Sequence, residues 1–472
     1  MALPDKDTMA AIAVTRFGLG ARPGEIEAAK SDPRAWLKSQ ITSGPADQPA
    51  GNLPDSAHRV VANHDAMADR MASRARATSP TVSAPPPSPM MAAGDAAGLQ
   101  EEFMARAQLA ASSGAAFRER WAMFWSNHFT VSAAKGELRP LPGPFEREAI
   151  RPRVFGRFEN LALASSRHPG MLFYLDQAQS VGPDSQIARS PGSDQRESID
   201  GAKLGLNENF ARELMELHTV GVDGGYHQVD VTELARAMTG WSVGGVQDGG
   251  MAGRYMFRST AHEPGERTVM GKHYRDTGET QAVSIMVDLA NHPATARRLA
   301  RKLVIHFVSD DPSPALVSKL EAVLVSSKGD LGQVAAVLID ADEAWALQPA
   351  KFKTPYEFII SAHRALGSAP TDASTLIQPL AGLGQPAFAA PSPKGWPEQA
   401  ANWASPDGLI KRLAWSETFA EQTAPGPREP IKIAQEALGA RLTAPTSTAI
   451  LAAESRPQAL AILFMSPEFQ RR

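Results

Sequence analysis

NENFARELMELHTVGVDGGYHQVDVTELARAMTGW, residues 207–241, reads as helix, glycine turn, helix. At about 100° per residue, Phe210, Ala211, Leu214, Met215 and Leu217 share one arc of the first helix. Glu208, Asn209, Arg212, Glu213 and Glu216 share the other. Glu208/Arg212 and Arg212/Glu216 are opposite charges four residues apart, a spacing that stabilises an exposed helix by roughly 0.2–0.5 kcal/mol per pair. Gly221 follows the last periodic residue, where a left-handed cap favours glycine. Asp230, with Glu233 three residues on, predicts a capping box. The stripe Val231, Leu234, Ala235, Met238 and Trp241 then gives the second helix one apolar face. His218 breaks the pattern, because it projects on the apolar arc of the first helix with Ala211 and Leu214.

The rest of the chain repeats this alternation of helix and loop. Short helices are predicted around TRFGLGARPGE within 8–41, then helices over 58–76, 99–130, 145–168 and 171–179. Further ones follow over 293–308, 314–327, 331–338, 355–366, 409–423 and from 456 to the end. Residues 77–98 are rich in Pro, Ser and Ala (SPTVSAPPPSP), a composition that buries too little apolar surface to order itself. A second polar loop covers 180–206, and weak alternation around Tyr255-Met256-Phe257 predicts a small β-hairpin near 250–275. His262 and His273, in that glycine-rich region, are expected in exposed loops. The reading is an all-α, single large multi-helix domain over 8–472, with one small hairpin and two long disordered loops.

The 472 residues are 43% hydrophobic, enough for a large core, and the net charge of −3 gives no electrostatic reason to expect nucleic acid. No run of apolar residues reaches the length of a membrane span. The chain contains no cysteine, which removes disulfides, thiolate metal sites and cysteine nucleophiles together. Lys6 is the only base before Arg16, and Met9–Val14 is too short for the apolar part of an export leader. A cytoplasmic location is the expectation from that start.

Six ordered segments carry a resemblance: WAMFWSNHFTVS (121–132), YLDQAQSVG (174–182), NENFARELMELHTVGVDGGY (207–226), RKLVIHFVSDDP (301–312), KFKTPYEFI (351–359) and GQPAFAAPSPKGWP (384–397). Together they resemble the bacterial family called domain of unknown function 1800, over nearly the whole chain. The family brings no established activity. What the resemblance implies is export in many members, often by twin-arginine signals. It also implies genomic neighbourhood with the family called domain of unknown function 1501, which is similar to sulfatases and alkaline phosphatases. A protein partner of that kind is therefore expected, and export together with it would place the chain in the periplasm.

Two groups of residues are candidates for chemistry. His128 lies on a stripe with Trp121, Phe124 and Trp125, His218 lies on the apolar arc described above, and His306 borders Leu299 and Leu303. Three inward histidines can hold a transition metal or haem, although the more usual reading of each is a hydrogen-bonded core residue. Asn127, Asn209, Arg212, Glu213, Glu216 and Glu233 form the candidate ligand or polar cluster. This group lines a pocket if enclosed and is an ordinary solvated face if not. The two functional expectations are an assembly partner of a sulfatase-like protein and a metal- or haem-dependent enzyme.

Overall fold

The computed structural model describes residues 3–77, 89–190, 205–348, 350–423 and 426–472, and within them all side chains but those of 67–77, 89–97 and 137. Helices dominate. Those used below are α1 (Lys6–Ile12), α2 (Pro89–Ser112), α3 (Ala116–His128), α4 (Asn209–Glu213), α5 (Gln228–Met238), α6 (Pro293–Phe307), α7 (Pro355–Leu366), α8 (Pro406–Thr423) and α9 (Arg456–Met465). Of the Pro/Ser/Ala stretch expected to be disordered, 78–88 lie outside the described residues, whereas 89–98 belong to α2. Residues 191–204 of the polar loop also lie outside them.

In the central stretch the helix–turn–helix order holds, but both helices differ in detail from the prediction. α4 widens after Glu213 into a π-helical turn, Leu214–His218. Such a turn carries an extra residue, and His218 at its end packs on the Phe129 ring at 5.0 Å. Gly221 adopts φ +83 as a left-handed cap requires. The capping box of α5 starts earlier than Asp230. His227 is the N-cap, and the Asp230 carboxylate, at the third helical position, accepts its N–H at 2.7 Å. The other Asp230 oxygen accepts from Met270 N at 2.7 Å, tying α5 to the β-structure.

That β-structure is two antiparallel pairs rather than one hairpin. β1 (Trp241–Val243) pairs with β2 (Tyr255–Phe257), and β3 (Arg267–Val269) with β4 (Lys272–Tyr274). Met270 and Gly271 join the last two with φ of 48° and 77°, the double positive φ of a type I′ turn. His262 departs from its expected exposure: it is buried, with Nδ1 at 3.0 Å from the Thr239 carbonyl.

Two large apolar cores share the molecule, beside a small third one around Ala10 and Ala11 of α1 with Val14 and Ile26. The first gathers the aromatic stripe of α3 with α4, α5 and α6, through residues such as Trp121, Trp125, Phe210, Leu234 and Leu303. The second joins α2, α7, α8 and α9 through Phe103, Ile359, Phe419, Leu460 and Phe464. Buried ion pairs stitch the seam between them. Arg120 of α3 reaches Glu357 of α7 at 2.5 Å, and Arg472 meets the other Glu357 oxygen at 3.2 Å. Arg106 of α2 bonds Glu146 at 2.8 Å, and Arg151 links Glu146 to Glu119, with Arg151 and Glu119 fully buried.

Removing one partner of such a network leaves an uncompensated buried charge. Arg151→Ala strips Glu119 of its cation and is expected to lower stability by on the order of 3–5 kcal/mol. Arg212→Ala is expected to cost less than about 1 kcal/mol, because that side chain is 40% exposed. Urea denaturation of the two variants checks this, and equal losses would contradict the contrast.

Candidate functional site

The site grows from the last turn of α6. His306 Nδ1 lies 2.9 and 3.0 Å from the Glu398 carboxylate oxygens, so Nδ1 carries the proton and donates it. The opposite nitrogen, Nε2, is buried and has no hydrogen-bond partner. Burial pushes His306 down to about 4, against the upward pull of Glu398. Glu398 is drawn down to about 2: burial opposes this, but His306, Lys351 and Arg472 prevail. At neutral pH the pair is a neutral imidazole donating to a carboxylate.

Glu398 ends a loop that is pinned to the C-terminal end of α3. Asn127 clamps it through both amide atoms: Oδ1 accepts from Trp396 N at 2.7 Å and Nδ2 donates to Trp396 O at 3.0 Å. Gly395 has φ +83, and a Cβ there would lie 2.4 Å from the Asn127 carbonyl oxygen, so only glycine allows this approach. Ser132 Oγ donates to Ala390 O at 2.7 Å, and Ala133 N to Phe388 O at 2.8 Å. Phe388 is held at φ +49, a strained conformation for a bulky residue that persists only where its surroundings impose it.

Opposite the loop stands the first turn of α7. Thr354 and Glu357 form a reciprocal capping box with Pro355 between them, which fixes where Tyr356 starts its helix. The Tyr356 ring meets Phe103 edge-on at 5.6 Å, and the Arg106 guanidinium lies 4.8 Å from its centroid. Its hydroxyl is buried without a partner. Burial raises Tyr356 to about 12, so it remains a proton donor at neutral pH.

These parts enclose a cleft of about 110 Å³. Phe103 and Arg106 come from α2, Met123, Ser126 and Asn127 from α3, His306 from α6, Tyr356 and Glu357 from α7, and Phe388, Trp396 and Glu398 from the loop. The cleft therefore lies on the seam between the two cores, a common location for ligand sites.

Of the residues singled out by sequence, Asn127 and His306 meet here. His128 and His218 form a separate cluster. Lys302 Nζ donates to His128 Nδ1 at 2.9 Å and His128 Nε2 donates to the His218 carbonyl at 3.1 Å. Burial, then Lys302, holds His128 well below 6.5, while burial, then Arg298, lowers Lys302 to about 7. Phe124 stands between the two sites, 6.3 Å from the His128 ring and 5.2 Å from that of His306. Among the described residues no group of three or more His, Asp or Glu side chains is placed to hold a metal ion. The histidines are thus not one ligand set.

The polar arc of α4 does not line the cleft. Asn209 is exposed, Glu213 and Glu216 are half-buried, and Arg212 bonds Gln228 at 2.9 Å and faces Glu208 at 3.6 Å. Burial, then Glu216, raises Glu213. Glu233 pairs with Arg236 at 2.9 Å and Arg267 at 3.8 Å. Sequence reasoning missed Tyr356, Glu398 and Arg106. The Thr354-Pro355-Tyr356-Glu357 capping signal marks the position of Tyr356, whereas no local pattern marks Glu398.

The family model described as "Protein of unknown function (DUF1800)" matches residues 12–471. The chain belongs to that family. No curated protein and no solved structure matches it.

The buried histidines of this DUF1800 protein set a pH dependence. His218, His306 and His363 are pushed down to about 3, 4 and 4 from an ordinary 6.5, each by burial first. The unfolded chain therefore takes up protons first, and stability falls as pH drops from about 6.5 towards 4. The urea midpoint is expected to be lower at pH 5 than at pH 7, with a smaller drop in His218→Phe. A midpoint unchanged over this range would contradict neutral buried imidazoles.

Proposed function

We propose that this DUF1800 protein is an enzyme that acts by proton transfer on a small molecule held in the cleft between its two cores. The observation that carries the reading is a neutral imidazole on the cleft wall, His306, held through Nδ1 by the Glu398 carboxylate, with the Tyr356 phenol on the same wall.

Their roles follow from their neighbours. Glu398 holds the imidazole with Nε2 free, so a substrate hydroxyl or a water gives its proton to Nε2. The imidazolium that forms is stabilised by the carboxylate already bonded to Nδ1. Tyr356 donates to the substrate oxygen on which negative charge develops. Glu398 is a positioning residue, and His306 and Tyr356 are the groups that touch substrate.

Ligand-observed NMR with fragments spanning anions, cations and neutral rings tests the reading. Binding is expected for some fragments and is expected to be lost in both His306→Gln and Tyr356→Phe. A library in which no binder responds to either substitution would sink it.

A second reading, assembly with a partner of the domain of unknown function 1501 family, is favoured by one surface feature. Leu409, Ile410 and Leu413 are exposed at 37%, 68% and 44% on one arc of α8. Under that reading, Ile410→Glu abolishes co-purification with a co-expressed protein of that family and leaves fragment binding unchanged. Unaltered co-purification would remove α8 as the contact.

A further inference from the structure

We propose that the groove along the helix Phe158–Arg167 is a second ligand site, built for the dianionic group of a small phosphate monoester. It shares no lining residue with the His306 cleft and stands independently of the functional reading above.

Sequence spacing places the cations. Arg157, Asn160, Ala164 and Arg167 recur at steps of three and four residues, so they share one face of the helix. With Leu163, and Arg153 from the preceding turn, they line an open groove of about 550 Å³. That volume falls within the roughly 300–1,000 Å³ of small-molecule sites. Among the described residues no acidic side chain lines the groove.

Each arginine is anchored along one edge of its guanidinium. Arg153 Nη1 donates to the carbonyls of Glu148 and Ala149 at 2.8 and 3.2 Å. Arg157 Nε donates to Glu159 at 2.9 Å, and Glu159 is itself held by Asn291 at 2.6 Å. Arg167 Nη2 donates to Glu279 at 2.6 Å, and its guanidinium lies 5.2 and 5.0 Å from the Trp241 and Tyr255 ring centroids. The other edges are open. Arg153 Nε and Nη2 and Arg157 Nη1 and Nη2 have no partner among the described residues and, unlike the buried Nε of Arg167, reach solvent. The forks are thus oriented before any ligand arrives, which lowers the entropy lost on binding.

Charge decides the class of ligand. Glu159 and Glu279 offset two of the three guanidinium groups, at 2.9 and 2.6 Å. Arg153 has no carboxylate beside it among the described residues, and burial alone holds it below its ordinary value. A carboxylate carries one charge and is saturated by a single guanidinium fork. A phosphate monoester carries nearly two charges and three acceptor oxygens, so it can engage Arg153 and Arg157 together. Leu163 and Ala164 continue the wall towards Arg167, whose Cα lies about 15 Å along the helix from that of Arg157. That apolar stretch accommodates the organic part of the ester.

Calorimetric titration of the full chain with phenyl phosphate and benzoate, at pH 8 and constant ionic strength, tests the site and its class. Phenyl phosphate is expected to bind, and benzoate to bind at least roughly tenfold more weakly, the scale of one further charged contact. Arg153→Gln is expected to weaken phenyl phosphate roughly tenfold. Arg157→Gln removes only a partly exposed ion pair, so it folds, and it is expected to weaken phenyl phosphate to the same extent. Arg297→Gln, at a side chain 73% exposed on α6, leaves binding unchanged. Benzoate binding as tightly as phenyl phosphate, and weakened in Arg157→Gln, would overturn the class and keep the site. No binding of phenyl phosphate, or binding that survives both Arg153→Gln and Arg157→Gln, would overturn the site itself.

Discussion

Arg151 lies fully buried between Glu119 and Glu146, and Arg120 and Arg472 lie buried against Glu357. Taking each such ion out of water costs several kcal/mol, and the mutual attraction offsets this only in a well-fitted arrangement. These pairs therefore act as a matching condition between the two cores: α3 and α7 pack correctly only when Arg120 finds Glu357. Other buried arginines satisfy backbone. Arg364 donates to the carbonyls of Gly20, Ala110 and Ser113 at 2.7, 3.0 and 2.9 Å, closing the end of α2 and tying it to α7. Helix ends that would otherwise leave bare carbonyls inside the protein are thus finished by side chains from distant segments.

The cleft inherits its position from this arrangement. It opens where two apolar cores meet without merging, so its walls combine aromatic faces with the paired charges of the seam. The left-handed Phe388 and the glycine-only approach of Gly395 show that the loop is held in one conformation against local preference. Strain of that kind persists where a shape is maintained by everything around it.

How much of this was legible depends on the range of the signal. Helices were readable because their apolar residues recur with the helical period, as in the α3 stripe of Trp121, Phe124, Trp125 and His128. The inward placement of His128, His218 and His306 followed from the same rule, and all three are buried. Their failure to converge did not, because periodicity fixes a face and says nothing of which helix lies across from it. The charged arc of α4 looks the same in sequence whether enclosed or solvated, and only the packing reveals Arg212 at the surface. The His306–Glu398 pair spans 92 residues and carries no local mark at Glu398. The two ends of the α5 capping box, His227 and Asp230, were displaced from the prediction because a histidine rarely announces itself as an N-cap.

The clamp between Asn127 and Trp396 joins positions 269 residues apart. Closing a loop of that length is entropically unfavourable until the intervening segments have condensed. The second core makes closures of the same length, since it joins Phe103 of α2 to Ile359 of α7 and Phe464 of α9. The cleft therefore takes shape with that core, and helices formed from local contacts alone would have no binding site. Acquisition of ligand binding during refolding would then lag the recovery of helical signal, making the site itself a reporter of long-range assembly.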